Sequence, residues 1–125
     1  MPYNLSICPT FRKNYKTLLK KYPLSKKEID NLVLSLKLNP KGCIYPNLII
    51  NNIAKIRIPL KKYKIGRRKG LRLIFWIHKS KQKIVPIYIY KKGRLKKEQN
   101  VITKIKENLT PIIEELNQNN SESHL

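Results

Sequence analysis

Carboxylates are missing from the middle of the chain. No Asp or Glu lies between Asp30 and Glu98, a stretch that holds 19 Lys or Arg residues. Internal ion pairs cannot neutralise such a segment, so its cations must be solvated, repel one another or meet a polyanion. The whole chain of 125 residues has a formal net charge of +21. Because each Lys or Arg that contacts a phosphate releases condensed counterions, this charge favours a nucleic acid as the partner.

Other kinds of site are missing too. No apolar run approaches the ~18 residues of a membrane span, and the N-terminal residues MPYNLSICPTFRK lack the apolar core of a signal peptide, so a cytoplasmic protein is expected. Cys8 and Cys43 have neither CxxC spacing nor a nearby His, which indicates reduced thiols and no zinc site. The chain has no Walker A motif and no dinucleotide-binding glycine motif, so no cofactor is predicted.

The acid-free stretch also restricts the kinds of nuclease that this chain could be. A two-metal site needs paired carboxylates, which the stretch lacks. His78 and His124 do not form the pair of ribonuclease-type acid–base catalysis. A nuclease of this composition would use Lys, Arg and Tyr. A ribose 2′-hydroxyl would attack the adjacent phosphate, cations would stabilise the transition state, and a Tyr or Lys would move the proton.

The first part of the chain has helical periodicity. We predict one domain over residues 1–116 and a polar, disordered tail over residues 117–125. Residues 3–8 alternate as a short strand, and residues 10–21 have the apolar spacing of an amphipathic helix. Ser25 and Glu28 then match a capping box at the start of a second helix, whose apolar stripe ends near Asn39. This pattern predicts a helical hairpin with its apolar faces towards a sheet.

After Pro40 the apolar period changes from that of a helix to that of a strand. Strands are predicted at residues 48–58, 71–78 and 83–90, and a helix at about residues 97–109, which Pro111 would kink or restart. Short links between the last strands favour antiparallel pairing. The order β-α-α-β-β-β-α predicts an α+β fold.

Alternation along the predicted strands assigns side chains to two faces of the sheet. The helix-covered face would include Val85, Ile87 and Ile89 of the last strand. The other face would be open, and the basic loop at residues 61–69 would rim it together with Lys91 and Lys92. A bulge at Pro86 would exchange the faces of the last strand. The open face would carry Lys55, Arg57, Arg72, Trp76, His78, Tyr88 and Tyr90.

A basic sheet face with interleaved aromatic rings is typical of proteins that bind RNA or single-stranded nucleic acid, since cations hold phosphates and rings stack on bases. These residues have alternative explanations: core packing for Trp76, strand propensity for the tyrosines, and an ordinary surface position for His78. The predicted nucleic-acid-binding residues are Lys55, Arg57, Lys61, Lys62, Arg67, Arg68, Lys69, Tyr88 and Lys91.

Three segments resemble the RelE/ParE superfamily of type II toxins: AKIR at 54–57, GRRKGLRLIF at 66–75 and IVPIYIYKK at 84–92. Members tend to have a Lys-apolar-Arg strand, a basic loop leading into Gly-x-Arg, and a last strand followed by Lys or Arg. The resemblance covers roughly residues 3–109. It implies a compact toxin with a four-stranded antiparallel sheet and with the helical hairpin and the C-terminal helix packed on one face.

In RelE-type members the activity is metal-independent cleavage of messenger RNA in the ribosomal A site, which leaves a 2′,3′-cyclic phosphate. Matched by position, Arg72 would clamp the phosphate and transition state. Lys64 would be the catalytic lysine, but the loop is one residue shorter than in the family, so Lys62 and Arg67 compete for this role.

Two positions depart from the RelE-type pattern. Lys92 stands where the family has an Arg near the end of the last strand, and Lys lacks bidentate phosphate recognition. The family's Tyr beyond that position is missing from the segment KKGRLKKEQN. Tyr90 or Tyr88 would have to substitute for it in proton transfer.

The resemblance also implies partners. They are messenger RNA, the ribosome and a small cognate antitoxin, whose acidic or amphipathic segment would meet the basic face; no membrane is implied. Two alternatives remain open. ParE-type members share the fold, lack the ribonuclease residues and inhibit DNA gyrase. The other alternative is a non-catalytic RNA-binding module with this fold.

Overall fold

The protein is described by a computed structural model that covers residues 3–39, 52–93 and 98–125. Cys43, residues 48–51 of a predicted strand and the first residue of the predicted last helix lie outside these ranges. The α+β class and the order β-α-α-β-β-β-α are confirmed. The elements are β1 (Asn4–Leu5), α1 (Pro9–Lys21), α2 (Lys26–Leu38), β2 (Ile53–Ile58), β3 (Leu71–His78), β4 (Lys83–Lys91) and α3 (Glu98–Asn117).

The four strands form one sheet in the order β1-β4-β3-β2. β2, β3 and β4 pair antiparallel, as their short links predict. β1 pairs parallel to β4, with Asn4 opposite Lys83, so the sheet is mixed and not wholly antiparallel. No hairpin turn sets the direction of β1, because the helices and two strands separate it from β4 in the chain. The predicted strand at residues 3–8 is also shorter, since α1 begins at Pro9.

The helical hairpin covers one face of the sheet. α1 begins with Pro9, whose fixed backbone angle suits the first helical position. It buries Phe11 and Tyr15 against the sheet, as periodicity predicts. α2 buries Ile29, Val33 and Leu36. These side chains form a core cluster with the sheet residues Ala54, Ile56, Ile58, Leu71, Leu73, Phe75, Ile77, Ile84 and Ile89.

The start of α2 differs from the predicted capping box. Ser25 makes no side-chain cap, because its hydroxyl donates to the carbonyl oxygen of Tyr22 at 2.6 Å within a short 3₁₀ turn. The Glu28 carboxylate accepts the backbone N–H of Lys61 at 3.2 Å. Glu28 therefore makes a tertiary contact and not the predicted local cap. This contact joins α2 to the segment that follows β2.

A bulge in β4 exchanges the faces of part of that strand. Ile74 lies opposite Tyr88 and Phe75 lies opposite Pro86, which leaves Ile87 between them without a partner in the ladder. Proline cannot donate to a ladder, so it is tolerated at such irregularities. Because of the bulge, Val85 and Ile87 lie on the face of Ile74, and only Ile89 keeps its predicted side.

This exchange makes the second face apolar, and α3 covers it. Val101, Ile105 and Ile112 of α3 pack with Ile74 and Ile87 in a second core cluster. The helices therefore lie on both faces of the sheet, whereas the sequence placed α3 on the same face as the hairpin. The open sheet face predicted from the sequence is therefore limited to the part of that face that α3 does not cover.

The second half of α3 and the tail that follows it differ from the sequence prediction. Pro111 lies inside a continuous helix that runs to Asn117 and does not restart it. The tail that follows, predicted to be disordered, lies against the N-terminal segment: Glu122 pairs backbone to backbone with Ile7. The Glu122 carboxylate also accepts from Arg12 at 2.8 Å.

Close backbone contact joins the start of β3 to the end of β2. Gly70 precedes β3, and a Cβ atom there would lie 2.2 Å from the carbonyl oxygen of Ile58. Ile58 pairs with Leu71 in the ladder, so its carbonyl cannot move without disturbing that pair. A Cβ at Gly66, by contrast, would have no atom within 4 Å.

Gly70→Ala is expected to lower the free energy of unfolding by roughly 1–3 kcal/mol, the range for an overpacked site. Gly66→Ala serves as the matched control and should change stability by less than about 0.5 kcal/mol. Urea unfolding followed by circular dichroism measures both. Equal midpoints for the two variants would show that the close approach at Gly70 is not required.

Candidate nucleic-acid interface

The loop between β2 and β3, residues 60–70, is called the basic loop here, and its first half is anchored to the core. Leu60 is fully buried. Its backbone exchanges two hydrogen bonds with Ile65, of 2.9 and 3.1 Å, which closes the segment between them. Lys64 takes the left-handed conformation that this tight closure needs, with φ of 57°. The side chain of Tyr63 meets the ring of Tyr22 edge to face at 5.4 Å, so the loop packs against the helical hairpin.

The second half of the basic loop is a short 3₁₀ turn, Arg67–Lys69, whose carbonyl groups are bound from the sheet side. The Arg72 guanidinium donates to the carbonyl oxygens of Arg67 at 2.8 Å and Arg68 at 2.9 Å. The Lys91 ammonium donates to the carbonyl oxygen of Lys69 at 2.9 Å. With their carbonyls held this way, the three residues of the turn expose their cationic side chains to solvent.

Arg72 is a buried residue in this structure. It is 3% exposed, and it also donates to the carbonyl oxygen of Leu71 at 3.1 Å. The sequence predicts Arg72 as a phosphate clamp. The structure gives its guanidinium the task of organising the turn that carries Arg67 and Arg68, and its role at a phosphate stays a prediction. Arg57, which lies opposite Arg72 on β2, is exposed.

Four cations of the predicted site surround one small concavity, called the cationic pocket here. Lys64, Arg68, Lys69 and Lys91 line it together with Ile65 and Gly66, around a volume of about 310 Å³. Among the described residues, none that lines this pocket carries a carboxylate. A phosphate group is the ligand that such a set of ammonium and guanidinium groups stabilises best. The structure thus brings together one predicted catalytic lysine and three predicted binding residues.

The remaining predicted cations lie around this pocket and not in its lining. Arg67 is exposed on the turn, and Lys92 is exposed just after β4, where its backbone N–H donates to Gly70 at 2.9 Å. Lys61 and Lys62 project from the first half of the basic loop. On β2, Lys55 lies opposite Ile74. These side chains can contribute to the surrounding positive field without touching the same phosphate.

The two candidate tyrosines form a pair. The rings of Tyr88 and Tyr90 stack with centroids 5.6 Å apart and an interplanar angle of 21°. Tyr90 is opposite Arg72 in the ladder and only 4% exposed, because it packs in the core cluster under α3. Tyr88 is half-buried. In this arrangement Tyr88 is the more accessible of the two rings.

Trp76 and His78 are not part of this site. They stack on each other, with centroids 4.5 Å apart, at the end of β3 that is remote from the basic loop. Trp76 packs against the second core cluster. Burial lowers the pKa of His78, and the charges of Lys81 and Lys83 lower it further. Trp76 therefore packs as its interpretation as a core residue expects, and His78 is half-buried at the end of β3.

Residues of α1 also contribute to this surface, and none of them is among the site residues predicted from the sequence. Beside Tyr88, Tyr90 and Lys91, a second concavity of about 710 Å³ lies between α1 and β4, and we call it the α1–β4 groove. Helical spacing places a row of mostly polar residues beside the buried Phe11 and Tyr15, which could have indicated this surface but not the element that it faces. The α1 residues that line the groove are Thr10, Lys13, Asn14, Thr17, Leu18, Lys21 and Tyr22.

Across residues 3–39, 52–93 and 98–125, no group of three or more His, Cys, Asp or Glu side chains could hold a metal ion. In the same ranges, no helix has the length and apolar character needed to cross a membrane.

A solved structure has a similar fold. The E. coli toxin RelE, in a mutant form and in the free state, matches 90% of this chain and 99% of its own chain, with a TM-score of 0.57 and 14% sequence identity. No protein-family model matches the chain, and no curated protein is significantly similar in sequence. The chain therefore has a RelE-like fold. At this identity the likeness concerns the fold, and function has to be argued from the site.

Arg72→Ala is expected to destabilise the protein by about 2–3 kcal/mol, because three carbonyl oxygens lose their donor. Arg57→Ala removes the same charge from the same sheet face and should cost less than about 0.5 kcal/mol, since that side chain is exposed. Urea unfolding compares the two variants. Amide exchange at Gly70 should also accelerate in Arg72→Ala only. Equal stability of both variants would refute the proposed task of Arg72 in the loop.

Proposed function

We propose that this protein is the toxin of a toxin–antitoxin module and that it cleaves ribosome-bound messenger RNA without a metal ion. The observation that carries the proposal is the cationic pocket: four cations line one concavity on a RelE-like fold, and no carboxylate lines it in the part of the chain that the structure describes. A site of this kind can bind and stabilise a phosphate but cannot assemble carboxylate ligands for two metal ions. A protein with this activity would work in the cytoplasm, where its RNA and ribosome partners are.

The proposed reaction is an internal transfer at one phosphate of the RNA strand. The 2′-oxygen of a ribose attacks the adjacent phosphorus, and the bond to the 5′-oxygen of the next nucleotide breaks. The products are a 2′,3′-cyclic phosphate and a free 5′-hydroxyl. Negative charge accumulates on the phosphoryl oxygens in the transition state, and Lys64, Arg68 and Lys69 are the groups we assign to its stabilisation.

Protons must also move during this reaction, from the 2′-hydroxyl and to the departing 5′-oxygen. The proposal assigns the acid–base step to Lys64 or to the hydroxyl of Tyr90, with Tyr88 as the more exposed substitute. Lys92 would bind a neighbouring phosphate as a point charge. Arg72 contributes by holding the turn on which Arg67 and Arg68 are carried, through the hydrogen bonds to their carbonyls.

The proposed antitoxin would be an acidic or amphipathic chain. The net charge of +21 favours such a partner, because opposite charges steer association and suppress unsuitable partners. The surface that it would cover includes the exposed cations of the basic loop.

A second candidate function is binding of RNA without cleavage, and one observation favours it. Arg72 is 3% exposed and Tyr90 is 4% exposed, so two of the four predicted catalytic residues are buried in this structure. A module that binds RNA through the cationic pocket and blocks translation would need neither of them at the surface. Inhibition of DNA gyrase is the ParE-type alternative, and the experiment below includes it as an outcome.

The first test measures cleavage directly. The purified protein is added to a translating extract, and the 5′ ends of a reporter message are mapped in the presence and absence of a chelator. We expect cuts in ribosome-bound message that carry 2′,3′-cyclic phosphate ends and that persist with the chelator. Message that stays intact while translation stops would favour binding without cleavage. Gyrase-dependent double-strand breaks with intact RNA would instead identify the ParE-type activity.

The second test distinguishes RNA binding by the cationic pocket from RNA binding by the overall net charge. A variant with Lys64, Arg68 and Lys69 each replaced by Gln should lose most affinity for a single-stranded RNA, and the slope of log affinity against log salt should fall by about 0.7, since the three cations share one phosphate and each phosphate contributes about 0.7. The control replaces Lys16, Lys20 and Lys27, which are exposed on α1 and α2, in the same way. Equal losses in both variants would mean that overall charge, and not the pocket, binds RNA.

A further inference from the structure

The α1–β4 groove is adjacent to the cationic pocket and shares one residue with it. Lys91 lines both concavities. The volume of the groove, about 710 Å³, lies in the range of sites that hold a small molecule or one unit of a polymer. A ligand whose charged end occupies the cationic pocket could therefore continue into the groove past Lys91.

The groove attracts negative charge. Lys13 and Lys21 on α1 and Lys91 on β4 line it, and the described residues around it include no carboxylate. Lys13 and Lys21 are exposed, and the Lys21 ammonium lies 6.0 Å from the centroid of the Tyr22 ring, which also lines the groove. They are two helical turns apart on one side of α1, a spacing of about 12 Å at 1.5 Å per residue. Charge complementarity thus favours an occupant with anionic groups separated along its length.

The groove also offers an aromatic surface. Tyr88 and Tyr90 line it as a stacked pair, and the half-buried ring of Tyr88 is the accessible member. Tyrosine rings provide platforms for unpaired bases, and each base–ring contact contributes substantially to single-strand binding. Cations on one wall and a ring on the other fit an occupant that alternates phosphates and bases.

The edge of β4 shows why an extended peptide fits less well. The Asn14 side chain accepts from the N–H of Ile89 at 2.8 Å and donates to its carbonyl oxygen at 3.0 Å. The Asn108 side chain donates to the carbonyl oxygen of Ile87 at 3.0 Å. These two amides occupy the backbone groups that an added strand would need, which is one way in which proteins protect a sheet edge.

We propose that the α1–β4 groove binds one nucleotide of a single-stranded RNA, next to the nucleotide whose phosphate occupies the cationic pocket, with its base against Tyr88. This inference rests on the proposed function, because it places the same RNA strand across both concavities. Lys13 and Lys21 then contact phosphates on the far side of the base. The groove would determine which nucleotides of the RNA are held and would add affinity. With Tyr88 against a base, proton transfer is assigned to Lys64 or Tyr90.

The test uses a single-stranded hexaribonucleotide with 2′-O-methyl groups, which cannot be cleaved, and with one 2-aminopurine whose fluorescence falls when it stacks. The protein should bind it at low salt and quench that fluorescence. Tyr88→Ala should weaken binding by about 5- to 150-fold, the range for loss of one base–ring contact, and abolish the quenching. Tyr88→Phe keeps the ring and should stay within about twofold of the parent.

A second pair of variants does not depend on the packing of Tyr88. Replacing Lys13 and Lys21 by Gln should reduce the salt slope of binding by about 1.4, the contribution of two phosphates on a single strand. Replacing Lys16 and Lys20 by Gln removes the same charge from the same helix outside the groove and should leave the slope near that of the parent. Equal slopes in the two double variants would overturn the proposal.

The remaining outcomes separate this inference from the proposed function. If the parent does not bind the hexanucleotide at low salt, or if Tyr88→Ala binds and quenches like the parent while the variant of Lys64, Arg68 and Lys69 does not bind, the groove is not an RNA site. Tighter binding of free adenosine monophosphate or of an acidic peptide than of the hexanucleotide would also overturn it. If Tyr88→Ala loses binding but the parent cleaves no message, the groove assignment stands and the proposed cleavage fails.

Discussion

The burial of one guanidinium organises the basic loop. Arg72 lies on β3, and its guanidinium donates hydrogen bonds to the backbone carbonyl oxygens of residues 67, 68 and 71. A buried cation is costly unless its donors are satisfied. Carbonyl oxygens satisfy them without cancelling the positive charge, whereas a carboxylate would have neutralised it. The acid-free middle of the chain can therefore form an ordered loop. The positive electrostatic field of this loop is not neutralised and can attract a ligand.

The β-bulge has a similarly wide influence. By leaving Ile87 without a ladder partner, it turns Val85 and Ile87 to the face that α3 covers, while Tyr88 and Tyr90 stay near the basic loop. α3 thus covers one end of this face. The other end borders the cationic pocket and the α1–β4 groove. The same irregularity gives the protein a second core cluster, against which Trp76 and Tyr88 pack.

Periodicity was sufficient to predict the helices and the order of the elements, because buried positions such as Phe11, Ile29 and Leu73 recur with the period of each element. It could not predict where β4 bulges, since Pro86 allows either register. The surroundings of Arg72 depend on how the basic loop folds, and no local pattern encodes that. Lys13 and Lys21 were not predicted as site residues, because the sequence does not show which element lies beside a polar helix face. The tail was expected to be disordered from its polarity, yet Glu122 finds backbone partners at Ile7.

The central claim is that RNA binds where the basic loop, held by Arg72, meets the end of β4. Nuclear magnetic resonance titration of the labelled protein with a short, uncleavable single-stranded RNA tests it most directly. The account predicts that the largest shifts occur at Lys64, Arg68, Lys69 and Lys91, with a further set at Tyr88 and along α1. Shifts confined to the exposed side of α2, near Leu34 and Leu38, with an unchanged basic loop, would contradict it.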